Sequence, residues 1–167
     1  MNSTEMEKAL RTDSFVDQYL MGIFSADELP TMVFPGAYIV NTDESSQKGM
    51  HWLAFFTTNG TVECFDSFGK NPGLYSLHIK KWIEDTYKVL HCEELQSRDT
   101  TVCGQYCMYF LLLRSYGFSY EDVMSSLTRK AEINDQFVCR FINKFFKFRK
   151  QVRDKYFLIQ QAINGQF

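Results

Sequence analysis

The sequence has no long apolar run and no apolar segment near its N-terminus. Its most apolar stretch, 107–113, is seven residues long and is followed by Arg114, whereas a helix that crosses a membrane needs about 20 such residues. Residues 1–14 are polar and lack the apolar core of a secretory signal peptide. We therefore expect a protein of the cell interior, neither secreted nor bound to a membrane.

The sequence also has few prolines, no repeats and no large excess of either charge. Three prolines in 167 residues and the lack of low-complexity tracts give no sign of a linker, so we expect one domain over 1–167. The 18 basic residues nearly balance the 20 acidic ones, so net charge gives no argument for nucleic-acid binding. Five cysteines with scattered spacing disfavour a secreted disulfide scaffold and favour free thiols.

Aromatic and β-branched residues are abundant in three short segments, 36–42, 50–57 and 61–68, which predict strands. The Asn59-Gly60 turn should join the last two into an antiparallel hairpin, and 91–96 reads as a further strand. Helices are predicted over 3–11, 14–21 and 102–116, and two more should begin after Ser119 and near Asn134. A further helix should begin near Pro72, with an apolar face made by Leu74, Leu77, Ile79, Ile83 and Tyr87. The expected fold class is α+β, with a central mixed or antiparallel sheet packed between helices.

The predicted hairpin brings an imidazole and a carboxylate together. His51 lies near the start of its first strand and Asp66 near the end of its second, and an acid beside an imidazole fixes its tautomer and stabilises its protonated form. Alone, His51 reads more simply as a core or surface histidine, and Asp66 as the cap of the following turn. Together they form half of a catalytic triad.

Cys103 is placed where a helix should begin, after the polar stretch 97–101. A helix N-terminus lowers the pKa of a thiol and so favours the nucleophilic thiolate, and Gly104 would leave room for a substrate backbone. Cys107 lies one turn further along the helix and is expected to pack in the core. Gln96 could donate to a developing oxyanion with the backbone N–H at the helix start, or be only a polar residue at a strand end.

Zinc is a competing explanation for these cysteines. Cys103, Cys107, His91 and Cys92 could supply four ligands. The set lacks a close Cys-x-x-Cys pair, and His91 and Cys92 are adjacent. We therefore expect no metal site.

Three motifs occur in a fixed order: GMHWLAFF, then CFDSFG, then LQSRDTTVCGQYC. They resemble the His-Trp, acid, Gln and Cys-Gly motifs of adenain, the adenovirus maturation protease family, whose relatives include enzymes of virophages and Polinton-type transposons and, more distantly, SUMO-specific proteases. The resemblance covers about 19–113. It implies an adenain/SUMO-protease-like fold and a cysteine endopeptidase that matures capsid or core precursors by cleaving at Gly-Gly-X or Gly-X sites.

The resemblance also implies a role for each matched residue. Cys103 would be the nucleophile and His51 the general base and acid, oriented by Asp66. Gln96 and the Cys103 backbone N–H would form the oxyanion hole, with Trp52 packed beside the histidine. Adenain usually has glutamate at the acid position, so Asp66 matches SUMO-protease usage instead.

Adenain is activated by DNA and by a viral peptide, which makes both candidate activators here, although the chemistry requires no cofactor. The basic stretch 143–155 could contact phosphate, but it reads more simply as a solvated helix face; its cations include Lys144, Lys147, Arg149, Lys150 and Arg153. Cys92 is the candidate cysteine for a peptide activator. We expect a monomer that acts on viral precursor proteins in the virion and the infected cell.

Two other functions stay open. A deubiquitinase or deSUMOylase would share the chemistry, since ubiquitin and SUMO also end in Gly-Gly, and the same clan hosts acetyltransferases. A non-catalytic virion protein could keep the fold as a binding module, although the four catalytic positions all hold competent residue types.

Overall fold

A computed structural model describes residues 1–90, 93–147 and 152–165, apart from the side chains of 152 and 153. The strands are β1 (Leu20–Phe24), β2 (Gly36–Asn41), β3 (Trp52–Thr58), β4 (Thr61–Phe65) and β5 (Tyr87–Val89). The helices are α1 (Ser3–Leu10), α2 (Ser14–Asp17), α3 (Leu77–Trp82), α4 (Cys103–Ser115), α5 (Tyr120–Ser125), α6 (Ala131–Lys147) and α7 (Val152–Ile163). None of the helices described is long and apolar enough to cross a membrane.

The strands form one mixed sheet in the order β1-β2-β3-β4-β5. The β1/β2 and β4/β5 pairs are parallel, and the β2/β3 and β3/β4 pairs are antiparallel. One face packs against α1, α4, α6 and α7 and the other against α3, so each face buries its own apolar cluster. The α+β prediction, with a mixed sheet between helices, is confirmed.

The predicted hairpin is present as β3 and β4. Its turn residues, Asn59 and Gly60, have φ angles of 46° and 79°, which matches the left-handed backbone that a two-residue turn of this kind requires. The register pairs Thr58 with Thr61 and Ala54 with Phe65. The residues before β3 and after β4 therefore meet at the opposite end of the hairpin.

Two of the predicted local structures are wrong. The helix expected over 14–21 ends at Asp17, and Leu20 begins strand β1, which pairs with β2 and so gains backbone hydrogen bonds along a buried neighbour. The strand expected over 91–96 is absent from the described residues 93–96. In both places the pairing of distant segments decides the local structure.

The segment after β4 also differs from its predicted amphipathic helix. Residues Pro72–Leu74 form a single 3₁₀ turn, and helix α3 begins later, where the Ser76 hydroxyl accepts from the His78 backbone N–H. Leu74 and Leu77 are 81% and 71% exposed, and Tyr87 starts strand β5. The predicted apolar face is therefore present only at Ile79 and Ile83, which are buried, and the segment is divided between a 3₁₀ turn, a short helix and a strand.

Helix α4 runs through the centre of the protein. It spans the predicted segment 102–116 to within one residue at each end, and eleven of its thirteen residues are buried. Helix α5 begins after Ser119, as predicted, with a capping box formed by Ser119 and Asp122.

The long C-terminal helix expected from near Asn134 begins at Ala131, and the chain is again helical in α7; its continuity through 148–151 lies outside the described residues. The Tyr116 ring contacts both Phe145 of α6 and Tyr156 of α7. Both helices therefore pack against the end of α4.

Candidate active site

The hairpin places His51 and Asp66 in direct contact. His51 Nε2 lies 2.6 Å from Asp66 Oδ1, and both side chains are buried. The imidazole also packs against two aromatic rings, Phe68 at 4.8 Å and Tyr75 at 5.5 Å between centroids. The ring is therefore fixed in orientation by a carboxylate at its edge and by aromatic packing.

Asp66 accepts three further hydrogen bonds. Oδ1 accepts from the backbone N–H of Phe68 at 2.9 Å, while Oδ2 accepts from the backbone N–H of Lys70 at 3.0 Å and from the Tyr75 hydroxyl at 2.8 Å. Burial alone would raise the pKa of this carboxyl, but its hydrogen bonds to His51 and Phe68 and the histidine's charge hold the pKa below its usual value. The acid is therefore held ionised in a closed turn.

Cys103 is the first residue of helix α4, with Val102 at the N-cap. Its thiol lies close enough to His51 and to the backbone N–H groups of Trp52 and Gly104 for all three to lower its pKa. Since His51 Nε2 faces Asp66, Nδ1 is the ring nitrogen left for the sulfur. The structure thus brings Cys103 next to the hydrogen-bonded pair of His51 and Asp66.

The pKa values of the thiol and the imidazole shift in opposite directions. Burial would raise the pKa of Cys103, but the hydrogen bond and charge of His51 together with the two backbone N–H groups lower it. Burial would likewise lower the pKa of His51, but Asp66 and Cys103 outweigh burial and raise it to about 9. These shifts favour a thiolate beside an imidazolium, which is the reactive form of a nucleophilic cysteine.

Gln96 is buried in the loop that leads to Cys103. Its Oε1 accepts from the Ser67 hydroxyl at 2.7 Å, and its Nε2 donates to the Thr100 carbonyl at 2.9 Å. A backbone carbonyl can only accept, so the Thr100 contact fixes which end of the amide carries the N–H groups. The side chain therefore has a defined orientation a few residues before the thiol.

The surroundings of Gly104 differ from the open space for a substrate backbone that the sequence predicted. A Cβ atom at this position would lie 2.8 Å from Met6 Sδ and 3.7 Å from Trp52 Cδ1. The space is occupied by the buried Met6 of α1, so packing explains this glycine, and no substrate backbone need be invoked. Trp52 lies beside Gly104, and its packing against His51 stays a prediction.

Cys107 is buried inside helix α4, where burial raises the pKa of its thiol well above the ordinary value. It faces the apolar core and not the imidazole. The two cysteines thus differ in environment, which lowers the pKa of the Cys103 thiol and raises that of the Cys107 thiol.

A cavity of about 350 Å³ opens next to Trp52, between α1 and the loop that connects β2 to β3. Its lining is largely polar and includes Asn41, Glu44, Lys48 and Gly49. None of His51, Asp66 and Cys103 lines this cavity.

The basic stretch is only partly described. Lys144 and Lys147 are exposed on α6, whereas Arg149, Lys150 and the Arg153 side chain lie outside the described residues. Lys155 contacts Asp13 Oδ2 at 2.9 Å and the Phe145 ring, so it stabilises the fold instead of extending a phosphate-binding face.

The metal and activator predictions involve residues next to β5. Cys92, the candidate activator cysteine, and His91 lie outside the described residues. Within the ranges that the structure does describe, no three His, Cys, Asp or Glu side chains are grouped to hold a metal ion.

Sequence reasoning missed the residues that support the site: Ser67, Tyr75, Thr100 and Asp135. Tyr75 and Ser67 bond Asp66 and Gln96 directly, while Asp135 bonds Thr100 from helix α6. Ser67 follows Asp66 in the chain, which was a usable signal. For Tyr75 and Asp135 only the tertiary fold brings the partners together.

Comparison with known proteins shows that the chain is similar in sequence to viral cysteine proteases. The chain is 28% identical over 123 residues to a provisionally named thiol protease of Acanthamoeba polyphaga mimivirus, covering 68% of this chain and 41% of that protein. It is 26% identical over 161 residues to a cysteine protease of African swine fever virus, covering 87% and 54%. A SUMO-1 cysteine protease from another isolate of that virus is 27% identical over 124 residues, covering 65% and 42%.

The chain spans about half the length of these relatives. No family model matches it. These relatives come from viruses other than adenoviruses, so the specific resemblance to adenain stays a prediction.

Proposed function

We propose that this chain is a viral cysteine protease in which Cys103 is the nucleophile. The observation that carries the proposal is the 2.6 Å contact between His51 and Asp66 beside the Cys103 thiol, where the pKa of the thiol is lowered and that of the imidazole raised. Such opposed shifts at one buried site are typical of catalytic groups. The similarity to viral thiol and cysteine proteases points to the same chemistry.

In the proposed reaction the Cys103 thiolate attacks the scissile carbonyl carbon. The negative charge that develops on the carbonyl oxygen is stabilised by the Cys103 backbone N–H and by the Gln96 N–H that Thr100 leaves available. The His51 imidazolium then gives its proton to the leaving amine as the C–N bond breaks, which leaves a thioester on Cys103. His51 next takes a proton from water, whose oxygen attacks the thioester and releases the acid product and the thiolate.

Asp66 keeps the imidazole oriented through these steps. Its carboxylate holds Nε2–H, so that Nδ1 faces the sulfur and the leaving group. Its low pKa keeps the negative charge beside the imidazolium. We assign it an orienting role with no proton transfer of its own.

The proposed substrates are viral capsid or core precursors cleaved at Gly-Gly-X or Gly-X sites. This rests on the sequence motifs that resemble adenain. A SUMO or ubiquitin isopeptidase is the second candidate, favoured by the name of the African swine fever virus relative, SUMO-1 cysteine protease. DNA and a viral peptide are proposed activators, with Lys144 and Lys147 as the described cations.

The test compares hydrolysis of a fluorogenic Gly-Gly-X peptide by the wild type, Cys103→Ala and Cys107→Ala. We expect Cys103→Ala to lose all measurable turnover and Cys107→Ala to keep most of it, because only the first sulfur contacts His51. Full activity of Cys103→Ala would refute the proposal. Alkylation by iodoacetamide tests the non-catalytic alternative, since an inert site would react slowly and with the pH profile of an ordinary thiol.

Vinyl sulfone probes made from SUMO and ubiquitin separate the two substrate classes. Labelling of Cys103 by either probe would favour the isopeptidase. Peptide hydrolysis without such labelling would favour a precursor protease.

A further inference from the structure

The loop that carries Gln96, residues 93–100, contains no helix or strand. Its backbone is tied to Ser67, whose carbonyl accepts from the N–H groups of Leu95 and Gln96. The remaining attachments are side-chain hydrogen bonds, and three of them lead to Asn134 and Asp135 near the start of helix α6. The position of the Gln96 amide therefore depends on residues far away in the sequence.

Asp135 is the centre of this attachment. It is 7% exposed, and its Oδ2 accepts from the Thr100 hydroxyl at 2.8 Å and from the Ser97 backbone N–H at 3.3 Å. Its Oδ1 accepts from the Tyr106 hydroxyl of α4 at 2.9 Å. One carboxylate thus joins the Gln96 loop to the helix that begins with Cys103.

We propose that Asp135 is a positioning residue for the oxyanion hole, acting on Gln96 through Thr100. The Asp135 carboxylate binds the Thr100 side chain, and the Thr100 carbonyl binds Gln96 Nε2. Gln96 Nε2 donates to the Thr100 carbonyl at 2.9 Å and lies 3.4 Å from Thr100 Oγ1, and we assign the amide hydrogen that does not bond the carbonyl to the substrate oxygen. The inference rests on the proposed function and adds a residue from outside the matched motifs.

The chemistry of the site requires a carboxylate. Three donors converge on Asp135, and an ionised carboxylate is the side chain that only accepts. An asparagine would offer one oxygen and would turn an NH₂ group toward at least one of these donors. Because an unpaired buried donor costs free energy, the loop would shift to relieve the conflict and would carry Gln96 with it.

The neighbouring residue supports the same loop from a different direction. Asn134 Nδ2 donates to the carbonyls of Leu95 and Thr128, at 3.0 Å and 2.8 Å. These bonds hold the backbone in place, but they do not reach Thr100. Asp135 alone among the described residues of α6 is bonded to the residue that orients the Gln96 amide.

The experiment compares Asp135→Asn with Glu132→Gln, a matched change at an exposed position of the same helix. Displacing an oxyanion donor by a fraction of an ångström should lower kcat about 10- to 100-fold, with KM changed less than about threefold. The rate at which iodoacetamide alkylates Cys103 should stay within about twofold of wild type, because alkylation forms no oxyanion. Glu132→Gln should match the wild type in every measurement.

A second variant pair keeps Asp135 and changes its partner. Thr100→Val removes the hydroxyl and should reproduce the loss of kcat, whereas Thr100→Ser retains it and should recover most of the rate. In addition, Gln96→Ala combined with Asp135→Asn should be no more than about twofold slower than Gln96→Ala alone, because both changes remove the same donor.

Three results would overturn the inference: wild-type kcat in Asp135→Asn, loss of alkylation in step with kcat, or additive effects of Gln96→Ala and Asp135→Asn. The proposed function is judged separately. If Cys103→Ala and Gln96→Ala impair hydrolysis but Asp135→Asn does not, the proposed protease function is supported and the positioning role of Asp135 is refuted. If Cys103→Ala is active, the protease proposal itself falls.

Discussion

The Ser67 hydroxyl donates a 2.7 Å hydrogen bond to Gln96 Oε1, 29 residues away in the sequence. Ser67 directly follows Asp66, whose carboxylate contacts His51. Two adjacent residues at the end of β4 therefore hold two proposed catalytic groups, the histidine through a carboxylate and the glutamine through a hydroxyl. A shift of this dipeptide would move both groups together.

Ser67→Ala tests this connection. The change leaves the buried Gln96 oxygen without its donor, so the amide loses one of its two anchors and should be misplaced in part of the population. We expect kcat for a Gly-Gly-X peptide to fall about tenfold with KM nearly unchanged. The control is Ser125→Ala, an exposed hydroxyl that bonds the Asp122 carbonyl. Equal kcat in the two variants would contradict the role of Ser67.

The pH dependence of activity should report the ion pair of Cys103 and His51. Activity requires the thiolate and the imidazolium together, so the rate should rise as the thiol ionises and fall as the imidazolium deprotonates, at a pKa of about 9. Asp66→Asn removes the carboxylate that raises the pKa of His51, and burial then acts against the charged ring. The basic limb should therefore move to lower pH.

This prediction is checked by kcat/KM and by the alkylation rate of Cys103, both measured against pH. The matched control is Glu44→Gln, an exposed carboxylate 3.4 Å from His78, which should leave the profile unchanged. A basic limb that stays in place in Asp66→Asn would show that Asp66 does not set the pKa of His51.

Gly104→Ala should lower stability through contact with Met6. The added Cβ would lie 2.8 Å from Met6 Sδ, and overpacking of this kind costs about 1–3 kcal/mol of unfolding free energy. Urea denaturation measures the loss. Combining it with Met6→Ala should cost less than the sum of the two single changes, because the cavity left by Met6 accepts the new methyl group. Strict additivity would mean that the two residues are not in contact.

Glu63→Gln should destabilise the protein without changing the active site. Arg114 of α4 donates two hydrogen bonds to Glu63 of β4, one of them at 2.8 Å, and both side chains are about one-tenth exposed. Removing the carboxylate leaves a buried guanidinium without its charge partner, which costs about 3–5 kcal/mol. Glu94→Gln, in an exposed pair with Arg98, should leave the unfolding free energy close to that of the wild type. Similar losses in both variants would contradict the assignment.

The site was predictable from the sequence where local rules determine geometry. The Asn59-Gly60 turn sets the register of β3 and β4, and that register alone brings His51 to Asp66. The start of α4 at Cys103 was similarly indicated by a polar stretch before an apolar run. Both signals act over a few residues.

The rest depended on contacts between distant segments. The Gln96 loop has no periodic pattern, and its attachment to Asp135 spans 35 residues between Thr100 and the carboxylate. Leu74 and Leu77 had helical spacing but are exposed, because Ser76 starts a new helix between them. Gly104 was interpreted as space for a substrate because the sequence gives no sign that Met6 fills it.

The burial of most of α4 means that the amide protons beyond its first turn can exchange with solvent only when the whole fold opens. Cys103 is positioned by that helix, whereas the 93–100 loop is retained mainly by side-chain hydrogen bonds that open locally. Cys103 and the 93–100 loop should therefore lose their native positions at different denaturant concentrations. In subdenaturing urea, peptide hydrolysis should decline while Cys103 still reacts with iodoacetamide at its native rate.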